Sequence, residues 1–127
     1  MARGSAFADI DGDGDLDVLI TQANGPARLL RNERPVDSHW ARIKLVGHKS
    51  NRDAIGAVVK VRVGTQTISR QVMPTRGYLS QSELPVTIGL GKSSSVDEAL
   101  IIWPSGIKQT VKNIAAGKVT TIEEPVN

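Results

Sequence analysis

Five aspartates near the start of the chain occupy every second position: Asp9, Asp11, Asp13, Asp15 and Asp17. Carboxylates this close repel one another, and at an effective dielectric near 20 each contact costs on the order of 1 kcal/mol or more. A bound divalent cation reverses the sign of that energy. The stretch therefore constrains the chain to a loop around positive charge, and Ca²⁺ is the cation that best fits the pattern.

Ca²⁺ takes about six to eight oxygen ligands, which a known loop supplies from side chains at positions 1, 3 and 5 and from a backbone carbonyl at position 7. The residues from Asp9 to Asp15 stand at these positions, and Asp17 at position 9 adds a direct or water-mediated ligand. Gly14 follows the third carboxylate, where the loop turns sharply and a residue without Cβ costs least. We predict that all five aspartates ligate calcium. An acidic, solvated turn without metal is the alternative.

An EF-hand is not predicted, because loop position 12 would be Ile20 rather than a bidentate glutamate and no amphipathic helix flanks the loop. Strand-like residues flank it instead: Ser5–Ala8 precede it, and Leu16–Thr21 form an apolar, β-branched run after it. The pattern D-x-D-x-D-G-x-x-D, preceded by Phe7-Ala8, resembles the calcium loop of FG-GAP/VCBS repeats, which form the blades of integrin-type β-propellers.

The composition limits the classes of protein to consider. A chain of 127 residues with 39% hydrophobic residues fits one ordinary globular domain. The absence of cysteine excludes disulfides and thiolate chemistry, and one Phe with one Tyr offers little for bases to stack on, so we predict no nucleic-acid partner. No apolar run has the length of a membrane span, and the first residues lack the apolar stretch of a signal peptide. Residues 1–5 look more like an added start than a native leader, and in that case the chain is a piece of a longer protein.

Apolar and polar residues alternate with period two along most of the remaining chain, as in strands with one buried face. After the acidic loop, Asn24-Gly25-Pro26 predicts a turn and Ala27–Asn32 a returning strand, while residues 33–38 are polar, contain proline and predict a linker. The predicted strands that follow are His39–Val46, a hairpin over Val58–Met73, Val86–Gly91, Glu98–Trp103, Ile107–Ile114 and Lys118–Glu123.

These elements predict an all-β fold. A small three-stranded, propeller-blade-like meander at residues 1–34 packs with an antiparallel β-sandwich or barrel-like domain at residues 39–124, and the two form one compact unit.

The second region carries a further set of motifs. It contains Asn51-Arg52-Asp53-Ala54-Ile55-Gly56-Ala57, Arg76-Gly77-Tyr78-Leu79-Ser80-Gln81-Ser82, Ile88-Gly89-Leu90-Gly91, Val96-Asp97 and Trp103-Pro104-Ser105-Gly106. In order and rough spacing these resemble the ASPIC/UnbV domain, which follows FG-GAP/VCBS repeats in secreted proteins such as the cartilage acidic protein family. The resemblance implies an extracellular, periplasmic or cell-surface location. The chain departs from the family at Thr87-Ile88, where a His-Phe pair is common.

Two further functions were weighed against the calcium module. Hydrolysis would use Ser80, Ser82, His39, His48 and Asp53, but no Gly-x-Ser-x-Gly motif frames either serine, so we predict no enzyme. The long irregular segment 74–85 offers Arg76, Tyr78 and Gln81 for recognition of a protein or carbohydrate, in an extracellular adhesion module. The alternative for these polar residues is a structural one, in which they hold the segment down by hydrogen bonds.

The assembly state follows from the strand edges of the meander, since three strands leave unpaired backbone groups. Either Ser5–Ala8 or Ala27–Asn32 adds to the edge of the chain's own sandwich, or it pairs with a second copy across a two-fold axis. We favour the monomer over the homodimer, because the short linker promotes docking of sequence neighbours.

Overall fold

The computed structural model describes residues 1–35 and 37–126, so Val36 of the expected linker and Asn127 lie outside the described residues. This part of the chain contains strands and no helix, which confirms the predicted all-β class. The strands are β1 (Ala2–Ala8), β2 (Asp17–Gln22), β3 (Gly25–Leu30), β4 (His39–Val46), β5 (Val58–Val63), β6 (Gln66–Gln71), β7 (Val86–Gly91), β8 (Ser95–Ile102), β9 (Lys108–Ala115) and β10 (Val119–Glu123).

Two of the three sheets form a sandwich around one aliphatic core. One sheet has the strand order β10-β4-β7, and the other has the order β6-β5-β8-β9. Ile43 and Ile88 from the first sheet meet Val59 and Ile101 from the second, and all four are fully buried in one cluster that also holds Trp103. Each such side chain contributes about 1.5–3 kcal/mol when it leaves water. Because neither sheet closes on itself, the domain is a sandwich rather than a barrel.

The sandwich differs from the prediction in one pairing. β10 runs parallel to β4, with Val119 beside Arg42 and Glu123 beside Val46, so this sheet is mixed and the expectation of a purely antiparallel domain is wrong. A parallel pair requires a long crossover, and the sequence between β4 and β10 supplies it. Alternation within a strand does not reveal this direction, because the pattern reads the same both ways.

The third sheet is the predicted meander, an antiparallel β1-β2-β3 arrangement. β2 and β3 are joined by Ala23-Asn24 rather than by the expected Asn24-Gly25-Pro26, and Asn24 has φ +58°. Asparagine tolerates this left-handed conformation better than most residues with a Cβ, so the turn closes one residue earlier and Gly25 begins the strand.

The outer edge of β1 is covered by the chain's own segment 80–83. The N–H groups of Ser5 and Phe7 donate to the hydroxyls of Ser80 and Ser82 at 3.0 and 3.1 Å. The carbonyl of Phe7 accepts the N–H of Glu83 at 3.1 Å. The outer edge of β1 is therefore covered within the chain, by an irregular segment rather than by an edge strand of the sandwich.

A buried carboxylate closes the sandwich beside β10. One oxygen of Glu124 accepts the backbone N–H groups of His48, Lys49 and Ser50 at 2.7–2.8 Å, and the other accepts the hydroxyls of Ser50 and Ser105. Burial alone would raise the pKa of Glu124, but these hydrogen bonds outweigh it and lower the pKa from 4.5 to about 2. Glu124 thus serves as the acceptor for three successive backbone N–H groups in the turn at residues 47–50.

Candidate metal centre

The acidic loop is held in shape by its own first aspartate. The two carboxylate oxygens of Asp9 accept the N–H groups of Gly12 and Gly14 at 2.7 and 3.0 Å. Gly14 has φ +92°, and a Cβ built there would lie 2.1 Å from the ring of Trp40. Glycine is required at this position for both reasons, so the sharp turn predicted after the third carboxylate is present.

Three of the five predicted ligands come together. Each of Asp9, Asp11 and Asp17 offers a carboxylate oxygen, and these oxygens all lie within 4.8 Å of one another. Two oxygens on opposite sides of a calcium ion lie about 4.6–5.2 Å apart, since each bond is about 2.3–2.6 Å long. The group therefore has the size and the donor chemistry that Ca²⁺ requires.

The other two aspartates are not part of this group. Asp13 accepts the N–H of Asp15 at 2.9 Å, which is a local turn contact. Asp15 is buried and accepts the backbone N–H of Arg34 at 2.7 Å, with the Arg34 guanidinium 3.6 Å from its other oxygen. Arg34 itself lies 5.9 Å over the ring of Trp40. Of the five predicted ligand residues, Asp9, Asp11 and Asp17 thus bring carboxylate oxygens together, while the carboxylates of Asp13 and Asp15 lie outside this group.

Asp17 is the most enclosed member of the cluster, with 1% of its surface exposed. Its two oxygens accept the N–H groups of Asn32 and Ile10 at 2.9 and 3.1 Å. These two hydrogen bonds, and more weakly the charge of Arg31, lower the pKa of Asp17 against the opposing effect of burial. The carboxylate is therefore ionised at neutral pH. It connects Ile10, which follows β1, with Asn32, which follows β3.

Three arginines that the sequence did not single out provide positive charge at the loop. Arg31 pairs with Asp11, and Arg34 approaches Asp15. Arg42 bridges Asp9 at 2.8 Å and Glu83 at 2.5 Å, with only 10% of its side chain exposed.

The alternation in β4 predicted that Arg42 lies on the wet face with Lys44, but it is buried because the acidic loop covers that part of β4. No sequence pattern links Arg42 to partners more than thirty residues away in both directions.

The charges around the loop do not balance. Five aspartates and Glu83 supply six negative charges, and the three arginines supply three positive ones, which leaves a formal charge of −3. Salt screens this excess only at distances beyond about 10 Å. A divalent cation at Asp9, Asp11 and Asp17 would remove most of it.

The predicted recognition residues occupy three different settings. Arg76 donates to the carbonyls of Met73 and Gln71 at 3.0 and 3.2 Å, as the structural alternative requires. Tyr78 is 67% exposed at the tip of segment 74–85, next to Leu79 at 87%. Gln81 is exposed beside β1.

The candidate residues for hydrolysis make structural or surface contacts, or are simply exposed. Ser80 and Ser82 cap β1, and His48 contacts Glu123 at 3.1 Å on the surface. His39 and Asp53 are exposed.

Comparison with known families decides the identity of the sandwich. A family model described as ASPIC and UnbV matches residues 47–127, which is more than half of the chain. The chain belongs to the ASPIC and UnbV family. The matched range begins eight residues later than the domain expected from the motifs, so it omits β4, although β4 lies at the centre of the mixed sheet of this ASPIC and UnbV domain.

Two curated relatives of the ASPIC and UnbV domain extend the match to the meander. Cartilage acidic protein 1 of Homo sapiens is 28% identical over 95% of this chain, and cartilage acidic protein 1 of Xenopus tropicalis is 26% identical over 94%. The chain spans about a fifth of the length of either relative, at 18%. None of the described residues forms a helix that is long and apolar enough to cross a membrane.

Proposed function

We propose that the chain is a non-enzymatic calcium-binding β module, in which Ca²⁺ at the Asp9–Asp17 loop stabilises the meander and its contact with the sandwich. The observation that carries the proposal is the convergence of Asp9, Asp11 and Asp17 to within 4.8 Å in a loop that keeps an excess of negative charge. Asp13, the carbonyl of Asp15 and water would complete the coordination. The loop is similar in pattern to the calcium loops of FG-GAP/VCBS repeats, and we assign it to that class.

The position of the loop explains why an ion there would matter for the whole domain. Asp17 begins β2 and holds Asn32 after β3, while Asp9 follows β1 and contacts Arg42 of β4. An ion shared by these aspartates links all three strands of the meander. Through Asp9 and Arg42 it also strengthens the junction with the sandwich.

The setting that we propose is extracellular. The relatives carry the name cartilage acidic protein 1, and the chain contains no cysteine that an oxidising environment would affect. Calcium modules of extracellular proteins bind with dissociation constants of about 0.1–1 mM. We expect an affinity in this range, because part of the negative charge is already neutralised by arginine.

Thermal unfolding with and without calcium tests the proposal. Ligand that binds the native state alone stabilises it by about 1.4–2.7 kcal/mol at a tenfold to hundredfold excess over Kd, so 10 mM Ca²⁺ is expected to raise the melting temperature by roughly 5–10 °C. Mg²⁺ is expected to act poorly, since it requires tighter octahedral geometry. Equal melting curves in calcium and in chelator, for protein shown to be metal-free, would overturn the proposal.

A pair of variants tests whether the calcium-dependent shift in melting temperature arises at the acidic loop. Asp11→Ala removes a ligand that is partly exposed and is expected to abolish most of the calcium shift while leaving the metal-free melting temperature nearly unchanged. Asp53→Ala removes an exposed aspartate away from the loop and is expected to keep the full shift. A shift that survives in Asp11→Ala would place the ion elsewhere.

The second candidate is recognition of a protein or carbohydrate, with calcium in a structural role. The exposed tip formed by Tyr78 and Leu79 favours it, because Leu79 has φ +48° and is held outward at the cost of backbone strain. Large apolar side chains on an exposed loop are typical of binding sites. Replacing both side chains would remove this surface without altering the metal centre.

A further inference from the structure

A cavity of about 280 Å³ lies where the meander meets the sandwich, and residues of β1, of segment 82–87 and of the β6 end line it. Its apolar wall is made by Phe7, Leu16, Met73, Leu84, Pro85 and Val86. Arg70, Gln71, Arg76, Ser82, Glu83 and Thr87 complete the lining. Neither the metal centre nor the exposed tip of Tyr78 and Leu79 uses this cavity.

The size of the cavity limits what it can hold. Pockets for drug-sized ligands and cofactors measure about 300–1,000 Å³ and enclose most of the ligand. A half-open cavity of 280 Å³ with apolar walls is at the lower limit of that range. It fits one large apolar side chain, such as Phe or Leu, better than a whole cofactor. Pockets that take one anchor side chain are a common means of recognising a bound peptide.

The charges at the cavity favour an acidic ligand. Arg70 and Arg76 line it, are exposed, and form no ion pair with any carboxylate of residues 1–35 and 37–126. Arg76 is held in place by the carbonyls of Met73 and Gln71, which reduces the entropy lost when its remaining N–H groups bind a partner. The negative charge of Glu83, also in the lining, is matched by Arg42.

We propose that this cavity binds an acidic peptide segment that inserts one large apolar side chain between the meander and the sandwich. The anchor contacts Phe7, Leu16 and Met73, and acidic residues on either side of it pair with Arg70 and Arg76. The arginines are rigidly planar donors that suit carboxylates. The proposal depends on neither calcium nor the exposed tip, although it shares Arg76 with the predicted recognition set.

The probe is a short capped peptide with a central Phe flanked by two Asp or Glu residues on each side, compared with peptides that carry Lys flanks or a central Ala. Binding to the full chain is measured by fluorescence anisotropy and by amide chemical-shift changes, in calcium and in chelator. We expect the acid-flanked Phe peptide to bind in both solutions and to shift amides of segments 70–76 and 82–87. The two comparison peptides are expected to bind at least fivefold more weakly.

Matched variants separate the cavity from general charge attraction. Arg70→Glu is expected to weaken the acidic Phe peptide by about fivefold to tenfold, as exposed charge pairs permit. Arg28→Glu reverses an exposed charge on β3 away from the cavity and is expected to change binding less than twofold. Met73→Trp narrows the cavity through a partly exposed wall residue and is expected to abolish the preference for Phe over Ala.

Three results would overturn the proposal. One is no binding of the acidic Phe peptide up to millimolar concentration. Another is an equal loss in Arg28→Glu and Arg70→Glu, which would indicate attraction by net charge alone. The third is a loss in a Tyr78→Ala, Leu79→Ser variant with full binding in Arg70→Glu, which would assign recognition to the exposed tip. Because the peptide is tested in chelator as well, failure of the calcium proposal leaves this outcome unaffected.

Discussion

Single charged side chains, rather than long interfaces, connect the separate parts of this molecule. Glu124 ties the end of β10 to the turn at residues 47–50 through three backbone N–H groups and the Ser50 hydroxyl, and to the turn after β8 through the Ser105 hydroxyl. Arg42 ties the acidic loop to Glu83 in the same manner. A buried charge of this kind is costly to leave without partners, so loss of either member of such a contact is expected to exceed the effect of an ordinary surface substitution.

The first residue-level prediction concerns Glu124→Gln. The pKa of Glu124 in the folded protein is about 2, below its ordinary value of 4.5, so the charge stabilises the fold fully above about pH 4.5. This stabilisation declines as the pH falls from 4.5 toward 2, and it is lost below that pH, where the carboxylate is protonated in both the folded and the unfolded state. We expect Glu124→Gln to melt several degrees lower at pH 7 and to approach the wild type as the pH decreases from 4.5 to 2, which melting curves across that range measure.

The neighbouring Glu123→Gln is the control, because this side chain is 68% exposed and its carboxylate contacts the exposed His48. It is expected to leave both the melting temperature at pH 7 and its pH dependence close to those of the wild type. A constant difference between Glu124→Gln and the wild type at every pH would contradict the ionic contribution assigned to Glu124.

The spacing of Asp9, Asp11 and Asp17 places them in one local loop, and the structure brings a carboxylate oxygen of each within 4.8 Å of the others. The sequence does not identify Arg42 and Glu124 as buried residues, because their partners are distant in sequence. A single charged residue in a strand, or directly after one, shows no pattern that indicates burial. The carboxylates of Asp13 and Asp15 lie outside the group of three aspartates, and their oxygens accept the backbone N–H groups of Asp15 and Arg34. The spacing shows which aspartates lie near the site. It does not show which backbone N–H groups bind their carboxylate oxygens.

At the level of elements, β1 shows how an edge strand is protected without another strand. Two hydroxyls, of Ser80 and Ser82, accept the outward N–H groups of Ser5 and Phe7, and the carbonyl of Phe7 is used by Glu83. The segment that contains these groups is irregular, so it covers the edge without offering a new edge of its own. Ser80 and Ser82, the two candidate nucleophiles for hydrolysis, thus have a structural role.

Replacing both serines tests this protection. Each lost hydrogen bond is expected to cost about 1 kcal/mol, so Ser80→Ala, Ser82→Ala is expected to lower the free energy of unfolding by about 1–2 kcal/mol in urea denaturation. The amide hydrogens of Ser5 and Phe7 are expected to exchange faster with solvent, while those of β5 and β8 keep their protection. Ser94→Ala, an exposed serine between β7 and β8, serves as the control. Unchanged exchange at Ser5 and Phe7 in the double variant would contradict the capping role.

Most strands could be predicted because their burial alternates, as in β4, β5 and β7, where every second residue reaches the core. The ends of β1, β2 and β8 were displaced, since turn geometry rather than hydrophobic pattern fixes where a strand stops. The direction of β10 relative to β4 could not be predicted from the sequence, for a similar reason. Pairing direction is decided by the route of the chain between two strands, and this route has no local signature.

For the molecule as a whole, the sandwich encloses its core between two sheets, while the meander remains open on one side. All six residues of β3 are exposed, and none of the described residues pairs with its outer edge. Leu29 and Leu30 on this strand are 48% and 51% exposed. An exposed apolar edge strand is a site where another strand adds, whether from a second copy or from a longer chain.

We therefore expect a monomer in dilute solution and reversible self-association at high concentration through β3. The variant Leu29→Lys, Leu30→Lys places charges on the edge and is expected to remain monomeric over the same concentrations in light scattering. Leu79→Lys adds one charge at an apolar side chain that is 87% exposed but lies on a loop, and it is expected to associate as the wild type does. Association that is unchanged by the β3 variant would place the contact elsewhere.

The parallel pairing of β4 and β10 also has a consequence for synthesis in the cell. Arg42 lies beside Val119 in this pair, and at about 5–20 residues per second the ribosome produces Arg42 roughly 4 to 15 s before Val119. During that interval one side of β4 has no strand to pair with, and the turn at residues 47–50 has no Glu124 to bind. A nascent chain of this domain therefore presents an extended, apolar strand for several seconds, which is the kind of segment that ribosome-associated chaperones protect.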